Sequence, residues 1–193
     1  MPPSDNTGRS DQTISAVVPP VLAVCGVKNS GKTTLIEALL PLLIGEKLKV
    51  AVVKHDGHDF RPDVPGADSR RFLEAGAYGA AVYSPRRYMV TARWDAGAVY
   101  PDISQILAHF READLVVLEG GKNSPLPKLE VVRAGVSAAP VSLPPARVAV
   151  VTDLPARDAW APVLDLDDPP SVLRFILRWR LDSQPRAPGK ERG

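Results

Sequence analysis

The segment from Val21 to Thr34, with the sequence VLAVCGVKNSGKTT, constrains the fold of this chain more than any other. It begins with a short apolar run that is typical of a buried parallel strand. It continues with a complete match to G-x-x-x-x-G-K-[ST], the Walker A or P-loop pattern, followed by apolar residues at helical spacing. Strand, loop and helix in this order are the context in which the pattern binds phosphate. The segment therefore predicts binding of a nucleoside di- or triphosphate; the alternative is a glycine-rich turn before a core helix.

Each residue type in this loop has a physical reason to be there. Gly26 and Gly31 permit a tight turn that points several backbone N–H groups at one phosphate. The start of the following helix adds partial positive charge at the same place. Lys32 is predicted to reach the β- and γ-phosphates as a catalytic group, and the Thr33 hydroxyl to ligate Mg²⁺. The predicted phosphate-binding residues are Gly26, Val27, Lys28, Asn29, Ser30, Gly31, Lys32, Thr33 and Thr34.

Composition limits the classes of protein to which the chain can belong. A length of 193 residues, 45% of them hydrophobic, predicts one domain, which we place at 18–181, between polar tails 1–17 and 182–193 that we expect to be disordered. A net charge of +2 gives no indication of nucleic acid or an anionic membrane as partner. The single Cys25, the absence of a long apolar run and the lack of an apolar signal segment indicate a cytoplasmic protein. We expect Cys25 to be a small buried hydrophobic residue rather than a nucleophile.

Strand and helix patterns alternate along the chain, which predicts an α/β fold. We expect a mostly parallel sheet of the P-loop NTPase type with helices on both faces, in three layers. Ligands of such sheets bind beyond the carboxyl ends of the strands. Polar clusters follow four of the predicted strands and are expected to converge there: Gly26–Thr33, His55–Asp59, Glu119–Gly121 and Thr152–Asp153.

The segment from Asp114 to Gly120, with the sequence DLVVLEG, resembles a Walker B strand. Glu119 at its far end is predicted to be a catalytic residue and a ligand of Mg²⁺, directly or through water. Asp114 is about 15 Å away at roughly 3.3 Å per residue, too far for the same role. Gly120 is a candidate donor of its N–H to the γ-phosphate. The alternative for Glu119 is a carboxylate on a surface turn.

Two other polar clusters leave their roles open. His55–Asp59 could hold zinc, contact nucleotide or substrate as a mobile loop, or be a solvated loop. Asp153 ends the last predicted strand, where a carboxylate can accept hydrogen bonds from the N1–H and N2–H₂ groups of guanine. The familiar Asn-Lys-x-Asp tetrad is absent, and the alternative is that Asp153 caps the next turn.

With these clusters in order, the chain resembles the MobB family, the adaptor proteins of molybdopterin-guanine dinucleotide biosynthesis. The resemblance covers about 21–179 and depends on the segments GVKNSGKTTL, VVKHDGHDF, PGADSRRFLEAGA, LVVLEGGK, VTDLP and LDLDDPPSVLRFI. It implies a homodimer that binds GTP and Mg²⁺ and hydrolyses GTP weakly. It also implies association with a MobA-type guanylyltransferase, with molybdopterin as a further candidate ligand. By resemblance, Asp59, Asp68 and Glu119 are candidate site residues.

Two other functions remain open. The first is a P-loop kinase or ligase that phosphorylates a small acceptor, for which Arg86 and Arg87 would have to act on the transferred phosphate. The second is a structural subunit whose nucleotide only stabilises the fold. Turnover separates the three functions, because they predict slow GTP hydrolysis, fast acceptor-dependent transfer, or no reaction.

Overall fold

The computed structural model describes residues 19–56, 60, 63–93, 103–157, 160 and 162–183. The strands are β1 Val21–Cys25, β2 Val50–Lys54, β3 Gly79–Ser84, β4 Arg87–Ala92, β5 Leu115–Glu119, β6 Lys128–Val132, β7 Arg147–Thr152 and β8 Val163–Asp165. The helices are α1 Lys32–Gly45, α2 Asp68–Glu74, α3 Ile103–Leu107 and α4 Pro169–Ser183, and a short 3₁₀ turn, Ala108–Phe110, follows α3.

Six strands form one parallel sheet in the order β2-β5-β1-β6-β7-β8. Strand β1 lies near the middle, with β5 on one side and β6 on the other, so the loop after β1 is flanked by the carboxyl ends of both. The predicted α/β fold of the P-loop NTPase type is confirmed. In sheets of this type, ligands bind beyond the edge at which the parallel strands end.

The sheet is covered on both faces, which explains the continuous apolar runs in its central strands. Leu22, Val24 and their neighbours pack against α1 and α4 in the largest core cluster. On the opposite face, Val21 and Ala23 belong to a cluster that includes Leu107 of α3. This alternation is the period-two pattern expected of strands that are buried on both sides.

Strands β3 and β4 form a separate two-stranded hairpin, on which α2 packs. Both faces of the hairpin carry exposed apolar side chains. Tyr83 and Tyr88 are paired across the strands and are 86% and 61% exposed, and Val82 is paired with Met89 on the other face. An isolated two-stranded sheet is only marginally stable, so this hairpin depends on contacts with other parts of the protein for its stability.

Strand β6 buries two charged side chains that its sequence pattern did not indicate. Lys128 and Glu130 are each 1% exposed. The Lys128 ammonium donates to the carbonyl oxygens of Ser124 and Lys122. The Glu130 carboxylate accepts from the backbone N–H groups of Val141 and Ser142 and from the Ser142 hydroxyl. These two residues therefore fasten the connections before and after β6 to the sheet.

Some boundaries differ from the sequence prediction. Helix α4 reaches Ser183, beyond the predicted end of the domain at residue 181, and β8 was not predicted. Helix α1 continues through Pro41 without a break. The predicted N-terminal tail 1–17 and residues 184–193 of the predicted C-terminal tail lie outside the described residues. No helix in the described part of the chain is both long and apolar enough to span a bilayer.

Candidate functional site: a phosphate-binding loop

The loop after β1 has the backbone conformation that its glycines predicted. Gly26 and Gly31 have φ of 141° and 97°, and Asn29 also lies in the left-handed region with φ of 63°. A β-carbon on Gly26 would lie 2.5 Å from the carbonyl oxygen of Val131 in β6. No other residue fits at Gly26, because both the conformation and the space exclude a side chain.

Helix α1 begins within this loop and has no side-chain cap at its N-terminus. The first-turn N–H groups of Lys32, Thr33 and Thr34 have no intrahelical acceptors, which makes the helix end a favourable place for an anion. The Lys32 ammonium donates to the carbonyl oxygen of Val27 at 2.7 Å, so its charge is held against the loop. Ser30 is buried, and its hydroxyl has no hydrogen-bond partner among the described residues.

Thr33 and Glu119 come together although 86 residues separate them. The Thr33 hydroxyl donates to Oε1 of Glu119 at 2.9 Å. The Lys54 ammonium lies 3.8 Å from the same carboxylate oxygen. A hydroxyl and a carboxylate oxygen are hard ligands of the kind that Mg²⁺ takes beside nucleotide phosphates. The pair therefore fits a magnesium ion whose remaining ligands would include oxygens of a phosphate chain.

The turns after β2 and β5 lie against each other beside the loop. The backbone N–H of His55 donates to the carbonyl oxygen of Glu119 at 2.9 Å. Gly120 donates its N–H to the carbonyl oxygen of Val24 at 2.9 Å. We predicted this N–H for the γ-phosphate, and such a contact would require that the bond to Val24 break. Gly120 as a binding residue remains a prediction.

The carboxylate of Asp153 has a structural contact. Its Oδ1 accepts the backbone N–H of Ala134 at 2.7 Å, which fastens the turn after β6 to the end of β7. This is a capping contact between two strand ends. A cavity of about 320 Å³ follows these two strand ends and is lined by Gly135, Val136, Ser137, Ala138, Leu154 and Arg157.

The remaining predicted site residues are not brought to the loop by any described contact. Asp68 begins α2 and pairs with Arg71 of the same helix at 3.1 Å, with both side chains largely exposed. Asp59 and His58 lie outside the described residues. Among the residues that are described, no group of three or more His, Cys, Asp or Glu side chains is placed to hold a metal ion.

Cys25 is fully buried at the end of β1. Burial, and then the charge of Glu130, raises the pKa of the thiol from 9.0 to about 11. A thiol with this pKa is protonated at neutral pH and is therefore a poor nucleophile. This agrees with the structural role predicted for Cys25.

Two cationic residues near the loop were missed by the sequence reasoning. Lys54 ends β2 and approaches Glu119, and Arg133 follows β6 and lies against Gly31. Both stand at carboxyl ends of predicted strands, which is the signal that could have identified them. Each of these charges directly continues an apolar strand pattern, so the sequence alone does not distinguish it from the strand.

Known proteins resemble this chain in sequence and in structure. Residues 21–153 match the profile of MobB, described as molybdopterin guanine dinucleotide synthesis protein B. The chain is 31% identical over 160 residues to the molybdopterin-guanine dinucleotide biosynthesis adapter protein of Haemophilus influenzae, covering 83% of this chain and 89% of that protein. The corresponding adapter protein of Escherichia coli is 30% identical over 169 residues, covering 83% and 93%.

The crystal structure of Bacillus subtilis MobB superposes with a TM-score of 0.62 at 26% identity, over 82% of this chain and 96% of that one. The family match begins at β1 and ends at Asp153, so it includes the predicted phosphate-binding loop, the end of β5 and the end of β7. From its sequence, its fold and the geometry of this loop, the chain belongs to the MobB family.

Proposed function

We propose that this protein is a cytoplasmic GTP-binding adaptor in molybdopterin-guanine dinucleotide biosynthesis, which assists the guanylyltransferase and hydrolyses GTP slowly with Mg²⁺. The observation that carries the proposal is the contact of Thr33 with Glu119 beside the uncapped start of α1 and the Lys32 ammonium. These groups supply a hydroxyl, a carboxylate, free N–H donors and a cation around one point. That set matches the needs of a magnesium-bound triphosphate.

When bound, Mg²⁺ would be held by Thr33 and Glu119 and would neutralise charge on the phosphates. Lys32 would exchange its bond to the Val27 carbonyl oxygen for one to a phosphate oxygen, a stronger charge-assisted bond. The Thr33 hydroxyl and the Lys54 ammonium hold the Glu119 carboxylate in place as a ligand for this ion. We expect GTP to bind in this arrangement and to be hydrolysed slowly.

Guanine selectivity is supported by Asp153 and by the cavity beside it. One carboxylate oxygen of Asp153 holds Ala134, and the other is the candidate acceptor for guanine. The cavity of about 320 Å³ begins at the ends of β6 and β7, the edge of the sheet that also carries the phosphate-binding loop. Adenine presents no pair of adjacent donors to a carboxylate, so this placement favours GTP.

Calorimetric titration of the protein with Mg-GTP, Mg-ATP and Mg-GDP tests the nucleotide assignment, and phosphate release measured in parallel tests the turnover. We expect GTP and GDP to bind more tightly than ATP, with slow GTP hydrolysis that small acceptors do not accelerate. Rapid, acceptor-dependent phosphoryl transfer would instead indicate a kinase. Nucleotide binding with no turnover at all would indicate a structural role.

The adaptor role also requires protein contacts, and the β3–β4 hairpin is the described surface best suited to one. Its apolar side chains are exposed on both faces, and an exposed apolar surface of this kind commonly marks a protein interface. We propose that a second copy of the chain covers it, giving a homodimer. The guanylyltransferase and molybdopterin are then bound by the dimer.

Reconstitution tests the adaptor role separately. The guanylyltransferase, molybdopterin and GTP are incubated with and without this protein, and molybdopterin-guanine dinucleotide is quantified by chromatography. We expect the protein to raise the yield, and the Lys32→Ala variant to raise it less. Identical yields in all three reactions would contradict the adaptor assignment while leaving nucleotide binding intact.

A further inference from the structure

Strand β6 forms one wall of the phosphate-binding loop. It pairs with β1 on the side opposite β5, with Cys25 in register with Glu130. The start of the loop packs so closely on this strand that a β-carbon on Gly26 would lie 2.5 Å from the Val131 carbonyl oxygen. Arg133, the residue that follows β6, therefore lies beside the loop, on the side away from Glu119.

The guanidinium of Arg133 lies flat on the last glycine of the loop. A β-carbon on Gly31 would be 3.3 Å from Nη2 and 3.4 Å from both Cζ and Nε of Arg133. Nearly equal distances to three atoms of a planar group mean that the point lies above the plane and not at its edge. The N–H groups of Arg133, which lie in that plane, are therefore directed past Gly31 and not at it.

One of these N–H groups, that of Nε, is shielded from solvent and has no hydrogen-bond partner in the described part of the chain. Two other partly buried arginines have acceptors, since Arg147 donates to the Ser142 carbonyl oxygen and Arg180 to that of Asp114. Nη1 of Arg70 shares with Arg133 the lack of an acceptor among the described residues. A shielded guanidinium N–H without an acceptor is unfavourable, and a charged acceptor supplied by a ligand would remove that penalty.

The backbone around Arg133 is held in place. Its carbonyl oxygen accepts the N–H groups of Val136 and Ser137, and the N–H of the next residue, Ala134, donates to Asp153. A charged side chain on a fixed backbone loses less entropy when it binds an anion. The arrangement is therefore that of a pre-organised ligand and not of a mobile surface arginine.

We infer that Arg133 binds the phosphate chain of the nucleotide, on the side of the loop opposite Thr33 and Glu119. This inference rests on the proposed nucleotide site and adds a ligand to it. Arginine suits the position because its planar fork can donate two parallel hydrogen bonds to one phosphate. Since the contact does not pass through the metal, it operates without Mg²⁺ as well.

The test compares Arg133→Met, which keeps length and packing but loses the charge, with Arg133→Lys and the control Arg178→Met on the exposed side of α4. GDP is titrated by calorimetry in EDTA. We expect Arg133→Met to bind GDP about tenfold to a hundredfold more weakly, as for loss of a charge-assisted hydrogen bond. Arg133→Lys should lose less affinity, and Arg178→Met none.

Thermal unfolding without nucleotide separates ligand binding from packing, and we expect Arg133→Met to unfold close to the wild-type temperature. Wild-type affinity in Arg133→Met would overturn the inference, even if Lys32→Ala abolishes binding and so upholds the nucleotide site. Weakened binding with an equally large loss of stability would also overturn it. Failure of the wild-type protein to bind any nucleotide would overturn the proposed function and this inference together.

A second measurement needs no variant. Phenylglyoxal modifies accessible arginines, and peptide mass spectrometry identifies the modified positions. We expect saturating GDP to slow modification of Arg133 without affecting Arg178. Equal modification of Arg133 with and without GDP would overturn the inference, whatever the folding behaviour of the variants.

Discussion

Glu119 stands where three residues distant in sequence meet. Its carboxylate accepts the Thr33 hydroxyl and lies near Lys54, and its backbone carbonyl accepts the N–H of His55. Its position at the end of an apolar strand was predictable, because a Walker B pattern is read directly from the sequence. The approach of Lys54 was not, since it depends on the β2–β5 pairing, which places Lys54 opposite Glu119.

Replacing Glu119 with Gln should weaken magnesium-dependent functions selectively. Gln keeps the shape and one acceptor but removes the charge that a divalent cation requires. We expect GTP hydrolysis to fall at least tenfold, with GDP binding in EDTA changed by less than about threefold. Phosphate release and calorimetry measure the two quantities. Equal losses in both would indicate general damage at the end of β5.

Asp153 has two candidate roles, capping of the turn at Ala134 and recognition of guanine, and the Asp153→Asn variant distinguishes them. Asn can still accept the Ala134 N–H, but a donor would replace the acceptor proposed for guanine. We expect the preference for GTP over ATP to fall by about tenfold to a hundredfold, because a charge-assisted bond is lost and one group is left unpaired. Competition titrations with GTP, ATP and xanthosine triphosphate measure it. Unchanged selectivity would mean that Asp153 only caps the turn.

Cys25 should be inert in the folded protein. Burial raises the pKa of its thiol to about 11, so the thiolate that reacts with disulfide reagents is scarce and inaccessible near pH 8. We expect modification by a chromogenic disulfide at pH 8 to require unfolding by urea. Because the folded pKa lies above the unfolded value, the protonated thiol favours the folded state below about pH 9. That contribution is lost as the pH rises from 9 towards 11. Rapid reaction of the native protein would contradict this account.

At the scale of elements, the sequence predicted most of the sheet because β1, β5 and β7 are buried on both faces and read as apolar runs. It did not predict how β6 buries Lys128 and Glu130, since their partners are backbone groups of loops whose course cannot be read from periodicity. Strand β8, three residues long, has too few residues to show a pattern. Helix α1 tolerates Pro41 because packing of its buried leucines outweighs the one lost hydrogen bond.

Glu130 provides a prediction at this scale. Its buried carboxylate holds the segment at Val141 and Ser142 against β6, and Arg147 lies 3.9 Å away. We expect Glu130→Ala to lower the free energy of unfolding by about 3–5 kcal/mol, because buried N–H groups and a cation lose their partner. Urea denaturation measures this change, and Glu112→Ala, at an exposed site, is the control. A loss below about 1 kcal/mol would contradict the buried role.

At the scale of the whole molecule, the hairpin of β3 and β4 is the part that the described fold leaves uncovered. The separation of this hairpin from the main sheet was not predicted, because strand pairing is decided by tertiary contacts. The family resemblance predicted a homodimer, and the exposed hairpin supplies a surface for it.

Charged substitutions on the hairpin should therefore prevent self-association. We expect Tyr83→Asp with Val90→Asp to convert a dimer to a monomer, because two buried charges without partners oppose the interface. Light scattering after size-exclusion chromatography measures the mass, and Leu143→Asp, an exposed apolar residue outside the hairpin, is the control. A dimer that survives the double substitution would place the interface elsewhere.

The central claim is that the loop after β1 binds the phosphates of GTP, and the Lys32→Ala variant tests it most directly. Lys32 supplies the side-chain charge at the start of α1, and the core does not depend on it. Calorimetric titration with Mg-GTP should show a loss of affinity of about a hundredfold or more. Lys122→Ala, an exposed lysine outside the loop, should bind as the wild type does, and circular dichroism should show an unchanged fold. Wild-type affinity in a folded Lys32→Ala protein would contradict the account.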